Sequence, residues 1–184
     1  MRRLAILFVL AIASASIGLV QQNLGKSGLT QDMQMKLNSA DKSFVTKTAA
    51  GGMAEVEMAQ LALKQSTNED VKRLAQRLAD DHGKANQELK QYADSKSITL
   101  PTAMSADHKK FFDKLSKLSG AAFDREYVNE MVKNHEKNVT MFEAQSKNSK
   151  DAELKAWVDK TLPTLREHLQ LARDTASKVG AKAD

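Results

Sequence analysis

The sequence predicts an all-α protein: four long helices in two hairpins, joined by a long crossover that carries a short helix. Three observations point there. The chain is rich in Ala, Leu, Lys, Glu and Gln and only 5 % aromatic, a helix-forming composition. Eight Gly and two Pro in 184 residues are too few for a turn-dense β chain. From about residue 41 onward, apolar residues recur at steps of three and four, which is the helical period. The length suits one domain.

The first twenty residues stand apart. Arg2 and Arg3 precede an unbroken apolar or small run from Leu4 to Val20, and Ala13-Ser14-Ala15 offers a cleavage site. A basic start, an apolar run and small residues make a secretory signal peptide. The alternative is an uncleaved N-terminal anchor, since about 17 apolar residues just span a bilayer. Both readings export the rest of the chain to the periplasm or cell envelope, with membrane contact only through an uncleaved leader. Residues 21–40 are polar, with Gly25 and Gly28, and are expected to form a flexible spacer before a bundle at 41–180. Losing Arg2 and Arg3 with the leader lowers the formal net charge from +5 to +3. The remaining charges are interspersed, as in Glu130, Lys133, Glu136 and Lys137. No basic block with interleaved aromatics occurs, so nothing supports a nucleic-acid partner. With no Cys, disulfides, thiol nucleophiles and thiolate metal sites are excluded.

The first long helix is expected from about Asp41 to Gln65, capped by Ser39, with a stripe through Val45, Ala49, Gly52, Met53, Val56, Ala59 and Leu63. Ser66-Thr67-Asn68 breaks it and caps a second helix over Glu69–Ser95, whose seam is Val71, Ala75, Leu78, His82, Ala85, Leu89 and Tyr92. A connection from Lys96 to Ser119 holds Pro101 and one short helix, beginning after Ser105 and ending near Gly120. The third long helix, about Ala121 to Ser146, carries Val128, Met131, Val132, His135, Val139 and Phe142. Asn148-Ser149 ends it and is expected to cap the fourth, Ala152 to Val179, with Leu154, Val158, Thr161, Leu165, His168, Ala172, Thr175 and Val179. Pro163 inside that helix predicts a kink or a local loosening. Each long helix spans about 40 Å. Two short links and one long one match a ferritin-like four-helix bundle better than a simple up-down bundle.

Three of the four His sit where the seams call for apolar residues. His82, His135 and His168 lie on three helices, near midpoints at about residues 82, 134 and 165. In antiparallel packing the midpoints of equal helices share one height, so the three imidazoles should converge in one core layer. The first helix has its midpoint near residue 53, and Glu55 lies beside the small residues Gly52 and Ala59. A buried carboxylate or imidazolium is costly unless paired or bound to metal. Three neutral imidazoles and a carboxylate suit one divalent transition metal, zinc or iron foremost, with manganese or copper also compatible. The alternative is a polar, hydrogen-bonded layer that fixes helix register. Asp81, beside His82, is read as an acceptor behind the site or a further ligand. Glu57 is expected on the surface, and His108, in the crossover helix, is expected to be solvated.

Several spaced motifs also carry a family likeness. They are Phe44-Val45, Ala54-Glu55-Val56-Glu57, Leu78-Ala79-Asp80-Asp81-His82, Gly120-Ala121-Ala122-Phe123-Asp124-Arg125-Glu126-Tyr127 with His135, and Leu162-Pro163-Thr164-Leu165-Arg166-Glu167-His168-Leu169. Over about Ser43–Lys178 the chain resembles the exported bacterial family called domain of unknown function 4142. That resemblance implies a ferritin-like fold and an envelope location, without an assigned reaction. Di-iron members of the wider superfamily place Glu-x-x-His on two helices. Here Ala79, Val132 and Leu165 stand three residues before His82, His135 and His168. The bridging carboxylates for two irons are missing, which argues against ferroxidase, oxygenase or iron-storage chemistry. The sequence thus points to an exported metal-binding bundle in metal handling or stress protection. The rival reading is a non-catalytic envelope interaction or stress protein whose His layer is structural.

Overall fold

A computed structural model describes residues 37–181; the leader and most of the spacer lie outside them. Within that range the chain forms α1 (Ser39–Gln65), α2 (Glu69–Ser95), α3 (Ala106–Leu115), α4 (Gly120–Asn148) and α5 (Ala152–Val179), with no strand among the described residues. None of these helices is long and apolar enough to cross a membrane.

Local chemistry explains the ends. Asn38, not Ser39, caps α1 by accepting from the Asp41 N–H, so the helix reaches back to Ser39 into the stretch expected to be spacer. Asn68 caps α2 through the N–H groups of Asp70 and Val71, and Ser105 caps α3 through that of His108. The cap of α5 is Asp151, which accepts from Leu154 N–H at 2.8 Å, rather than Asn148 or Ser149. Asp is as good a cap as Asn or Ser, and its charge also suits the positive helix end. The short crossover helix stops at Leu115, well before Gly120. Helix α5 continues through Pro163; the missing N–H there leaves the ladder one bond short.

Polar bridges at the helix ends reveal the topology. Ser66 Oγ donates to Asp124 Oδ1 at 2.6 Å, joining the end of α1 to the start of α4. Gln145 donates to Asp41, joining the end of α4 to the start of α1. Lys96 Nζ meets Asp151 Oδ2 at 3.0 Å and Lys178 Nζ meets Asp70 Oδ1 at 2.7 Å, so α2 and α5 are also antiparallel. Helices α2 and α4 therefore run the same way, and the connection between them must return the length of the bundle. Part of it is α3, which lies against α1 and α4. This is the two-hairpin, one-crossover arrangement expected.

The core falls into two apolar clusters. One gathers Met58, Leu74, Leu78, Phe123, Tyr127 and Met131 with their neighbours. The other gathers Phe44, Leu89, Tyr92, Phe142, Leu154 and Leu165. The α1 stripe differs from expectation: Met58 and Ala62 are buried, whereas Val56 and Leu63 are only half-buried. Between the clusters lies a polar layer. His82 falls between Leu78 and Leu89, His135 between Val132 and Phe142, and His168 between Leu165 and Ala172.

Candidate metal centre

Each residue of the polar layer is supplied by the middle of a long helix. Glu55, His82, His135 and His168 are 3 %, 8 %, 0 % and 1 % exposed. One ring nitrogen from each His lies within 4.8 Å of the others. The ring centroids form a near-equilateral triangle with sides of 5.5, 5.2 and 5.3 Å.

Hydrogen bonds behind the rings decide which nitrogens face inward. His135 Nδ1 donates to the Met131 carbonyl one turn earlier, at 2.8 Å. That places the proton on Nδ1 and the lone pair on Nε2. His168 Nε2 donates to Asp81 Oδ2 at 2.9 Å, which leaves the lone pair on Nδ1, a buried atom with no protein partner. Asp81 is itself held by the Arg77 guanidinium. Metal-ligating imidazoles characteristically donate their second N–H to a carboxylate or carbonyl in this manner.

The third ring faces the carboxylate. His82 Nε2 is 3.3 Å from His135 Nε2 and 2.7 Å from Glu55 Oε2. The carboxylate oxygen lies off the N–H axis, because it is without an aligned hydrogen bond, while Oε1 accepts from Asn138 Nδ2 at 3.1 Å. Two nitrogens on one tetrahedral ion at about 2.0–2.1 Å sit roughly 3.3–3.4 Å apart. The His82–His135 spacing already has that value. The Glu55–His82 distance is that of an ion pair and would have to widen for both to ligate.

Electrostatics follow the same division. Burial raises the Glu55 carboxyl, but His82 and His135 outweigh it and bring the group down to about 2. For His82, burial opposes the charge and the Glu55 carboxylate wins, so the ring is held above its ordinary value. His135 is lowered, mainly by burial, against the pull of Glu55. Burial takes His168 down to about 4 despite Asp81, with His82 and His135 adding to the shift. Both shifts favour the neutral ring; the His168 Nδ1 lone pair has no protein partner, while His135 Nε2 lies against His82 Nε2 at 3.3 Å.

The family profile described as a domain of unknown function, DUF4142, matches residues 27–175. This chain belongs to the DUF4142 family. No curated protein sequence matches it. Among solved structures, a DUF305 protein of Streptomyces coelicolor, described as a candidate secreted protein, superposes with a TM-score of 0.69 at 19 % identity, covering 79 % of this chain and 97 % of that one. A DUF305 fragment from Deinococcus radiodurans gives 0.67 at 15 %, over 78 % and 97 %. CopM in its Cu(I)-bound form gives 0.64 at 20 %, over 75 % and 96 %; CopM structures with Cu(II) and with Ag are also similar. At these identities the likeness is one of fold.

The structure of this DUF4142 chain thus brings the three predicted imidazoles together and sets Glu55 against His82. Glu57 is exposed, as expected. Asp81 stands behind His168 and does not point at the layer. His108 corrects its expectation: it is half-buried, not solvated, with Cε1 near Gly51 and Nδ1 buried without a partner. Sequence reasoning missed Asn138, which holds Glu55. Its signal was the spacing, one turn beyond His135 on the same helix.

Proposed function

We propose that this protein is an exported, ferritin-like metal-binding bundle of the cell envelope, with one transition-metal ion held by His82, His135 and His168 and by Glu55 as fourth ligand. The observation that carries the reading is the convergence of three buried imidazoles, two of them oriented from behind by the Met131 carbonyl and by Asp81. Three nitrogens and one carboxylate oxygen suit zinc, iron, manganese or copper. The Cu(I), Cu(II) and Ag complexes of CopM on the same fold favour copper within that set, and Cu(II) binds such donors most tightly. The role that follows is metal handling or stress protection in the envelope. Elemental analysis and metal titration of the exported protein test it, beside His82→Ala and His168→Ala. One equivalent of metal is expected in the wild type and a loss of uptake in both variants. A wild type without stoichiometric metal, or variants that bind as well as it does, overturns the reading.

A second reading has its own support. The Glu55–His82 pair, the His82–His135 contact and the His168–Asp81 bond already partner most of the layer's polar atoms. On that reading the layer only fixes helix register in an envelope interaction or stress protein, and chelators leave the melting temperature unchanged.

A further inference from the structure

The four faces of the bundle are not packed equally. The hairpin pairs α1–α2 and α4–α5 are closely packed, and α1–α4 is the loosest of the four interfaces. A cavity of about 290 Å³ touches that interface, with Glu55 and His82 in its wall and with α2, α3 and α5 also contributing to its lining. Its α1 wall is built from positions one turn apart, Thr48, Gly51 and Gly52, and Glu55, which share a helix face. Asn134, Lys137 and Asn138 line it from α4, and Ser105, Asp107 and His108 from the N-terminal part of α3.

Beside the exposed ammonium groups of Lys47 and Lys137, the cavity carries several donors that a cation can use. Thr48 Oγ1 and His108 Nδ1 are buried polar atoms without protein partners. Asn86 and Asn138 line the stretch next to Glu55; amide oxygens are serviceable weak donors, and an imidazole is a better one. Two glycines let polar side chains of the neighbouring helices come close to α1. An added Cβ on Gly52 would come within 2.0 Å of Asn86 Oδ1, so glycine there is what admits the amide. At Gly51 an added Cβ would meet His108 Cε1 at 3.9 Å, which places the ring directly over α1 where no side chain intervenes.

Resting on the metal-binding reading above, we propose that the ion reaches the centre through the α1–α4 seam beneath α3, and that His108 is its loading ligand, held only in passage. His108 is not one of the three His whose nitrogens converge within 4.8 Å, so it takes no part in the final coordination. A group that acts only on the route changes the on-rate and off-rate by the same factor and leaves Kd untouched. Its removal is therefore a kinetic defect without a thermodynamic one.

Copper(II) is the probe, and Trp157, the single Trp of the chain, is the reporter, because it lines the same cavity. Quenching of its fluorescence is followed by stopped flow and, separately, by equilibrium titration. Two variants are compared with the wild type: His108→Ala, and Gly51→Leu, whose Cβ meets only an ordinary contact and whose side chain obstructs the seam. Circular dichroism and melting verify that both fold. Loading about tenfold slower or more in both, with Kd and one-to-one stoichiometry kept within about twofold, is the expected result. Loading at the wild-type rate in both overturns the route and leaves the centre standing. Weakened equilibrium binding in His108→Ala also overturns it, by making His108 a permanent ligand. A wild type that binds no copper refutes the centre itself, a failure distinct from the other two.

Discussion

His168 is the residue at which the chemistry of the layer is most constrained. Its Nε2 is committed to Asp81, and Asp81 to Arg77, which also meets Glu167 at 3.2 Å. The arrangement fixes both tautomer and ring orientation, so Nδ1 presents its lone pair without a reorganisation cost at binding. Asp81→Ala removes that restraint but no ligand. Loss of an acceptor behind a ligating imidazole weakens metal binding by about 10–100-fold. A competition titration against a chromophoric chelator should show this with stoichiometry intact; undiminished affinity would mean that packing alone orients the ring. The sequence made His168 visible as a polar residue on an apolar seam. It left the role of Asp81 open, because adjacent helical residues diverge by about 100° and only the packed neighbour α5 shows that Asp81 reaches across to His168.

At the scale of the element, the register of the four helices decides whether three mid-helix His share a layer. That register is held at the ends. Ser66–Asp124 and Asp41–Gln145 tie α1 to α4, while Lys96–Asp151 and Asp70–Lys178 tie α2 to α5. Asp151 does two tasks, capping α5 and anchoring the end of α2. Burial raises its carboxyl, but the Leu154 N–H and the Lys96 ammonium more than offset that and hold it below the usual Asp value. Because the folded value is the lower one, the stability it contributes is complete above the unfolded value of about 3.9 and is lost as pH falls through the folded one. Asp151→Ala should cost about 1–2 kcal/mol at neutral pH, read from denaturant midpoints. The deficit relative to wild type should shrink in acid below about pH 4. A deficit that persists unchanged there would assign the loss to packing, not charge. The extents of the four long helices were legible to within about two residues from periodicity, whereas α3 ends at Leu115 and not near Gly120. The caps of α1 and α5 were not, because Asn38 stands beside Ser39, and Asp151 near Asn148 and Ser149. All can cap, and the choice falls to tertiary partners: Asp151 is the one that also reaches Lys96.

For the whole molecule, the open question is what a polar layer between two apolar clusters contributes. The sequence displayed its existence, since His82, His135 and His168 interrupt apolar seams near the helix midpoints. The cavity under α3 was hidden, because it depends on how loosely α1 meets α4 and on where the crossover lies. An ion that binds only the folded chain stabilises it by RT ln(1 + [L]/Kd), or about 2.7 kcal/mol when free metal is 100-fold above Kd. For a bundle of this size that is a rise in Tm on the order of 10 °C. Stripping with a chelator should reverse it, and readdition should restore it. A layer serving only as packing has no such term, and its Tm is indifferent to chelator. The Glu55→Met, His82→Leu, His135→Leu, His168→Leu quadruple variant sharpens the contrast, because it removes the buried carboxylate together with its imidazole partners. Replacing a buried polar set with apolar side chains of similar size is often neutral or stabilising, so the variant should melt near or above the stripped wild type. Under the metal reading it also melts below the loaded wild type and ignores both metal and chelator. If the quadruple variant still gains stability on adding metal, the ion is held elsewhere and the layer is not its site.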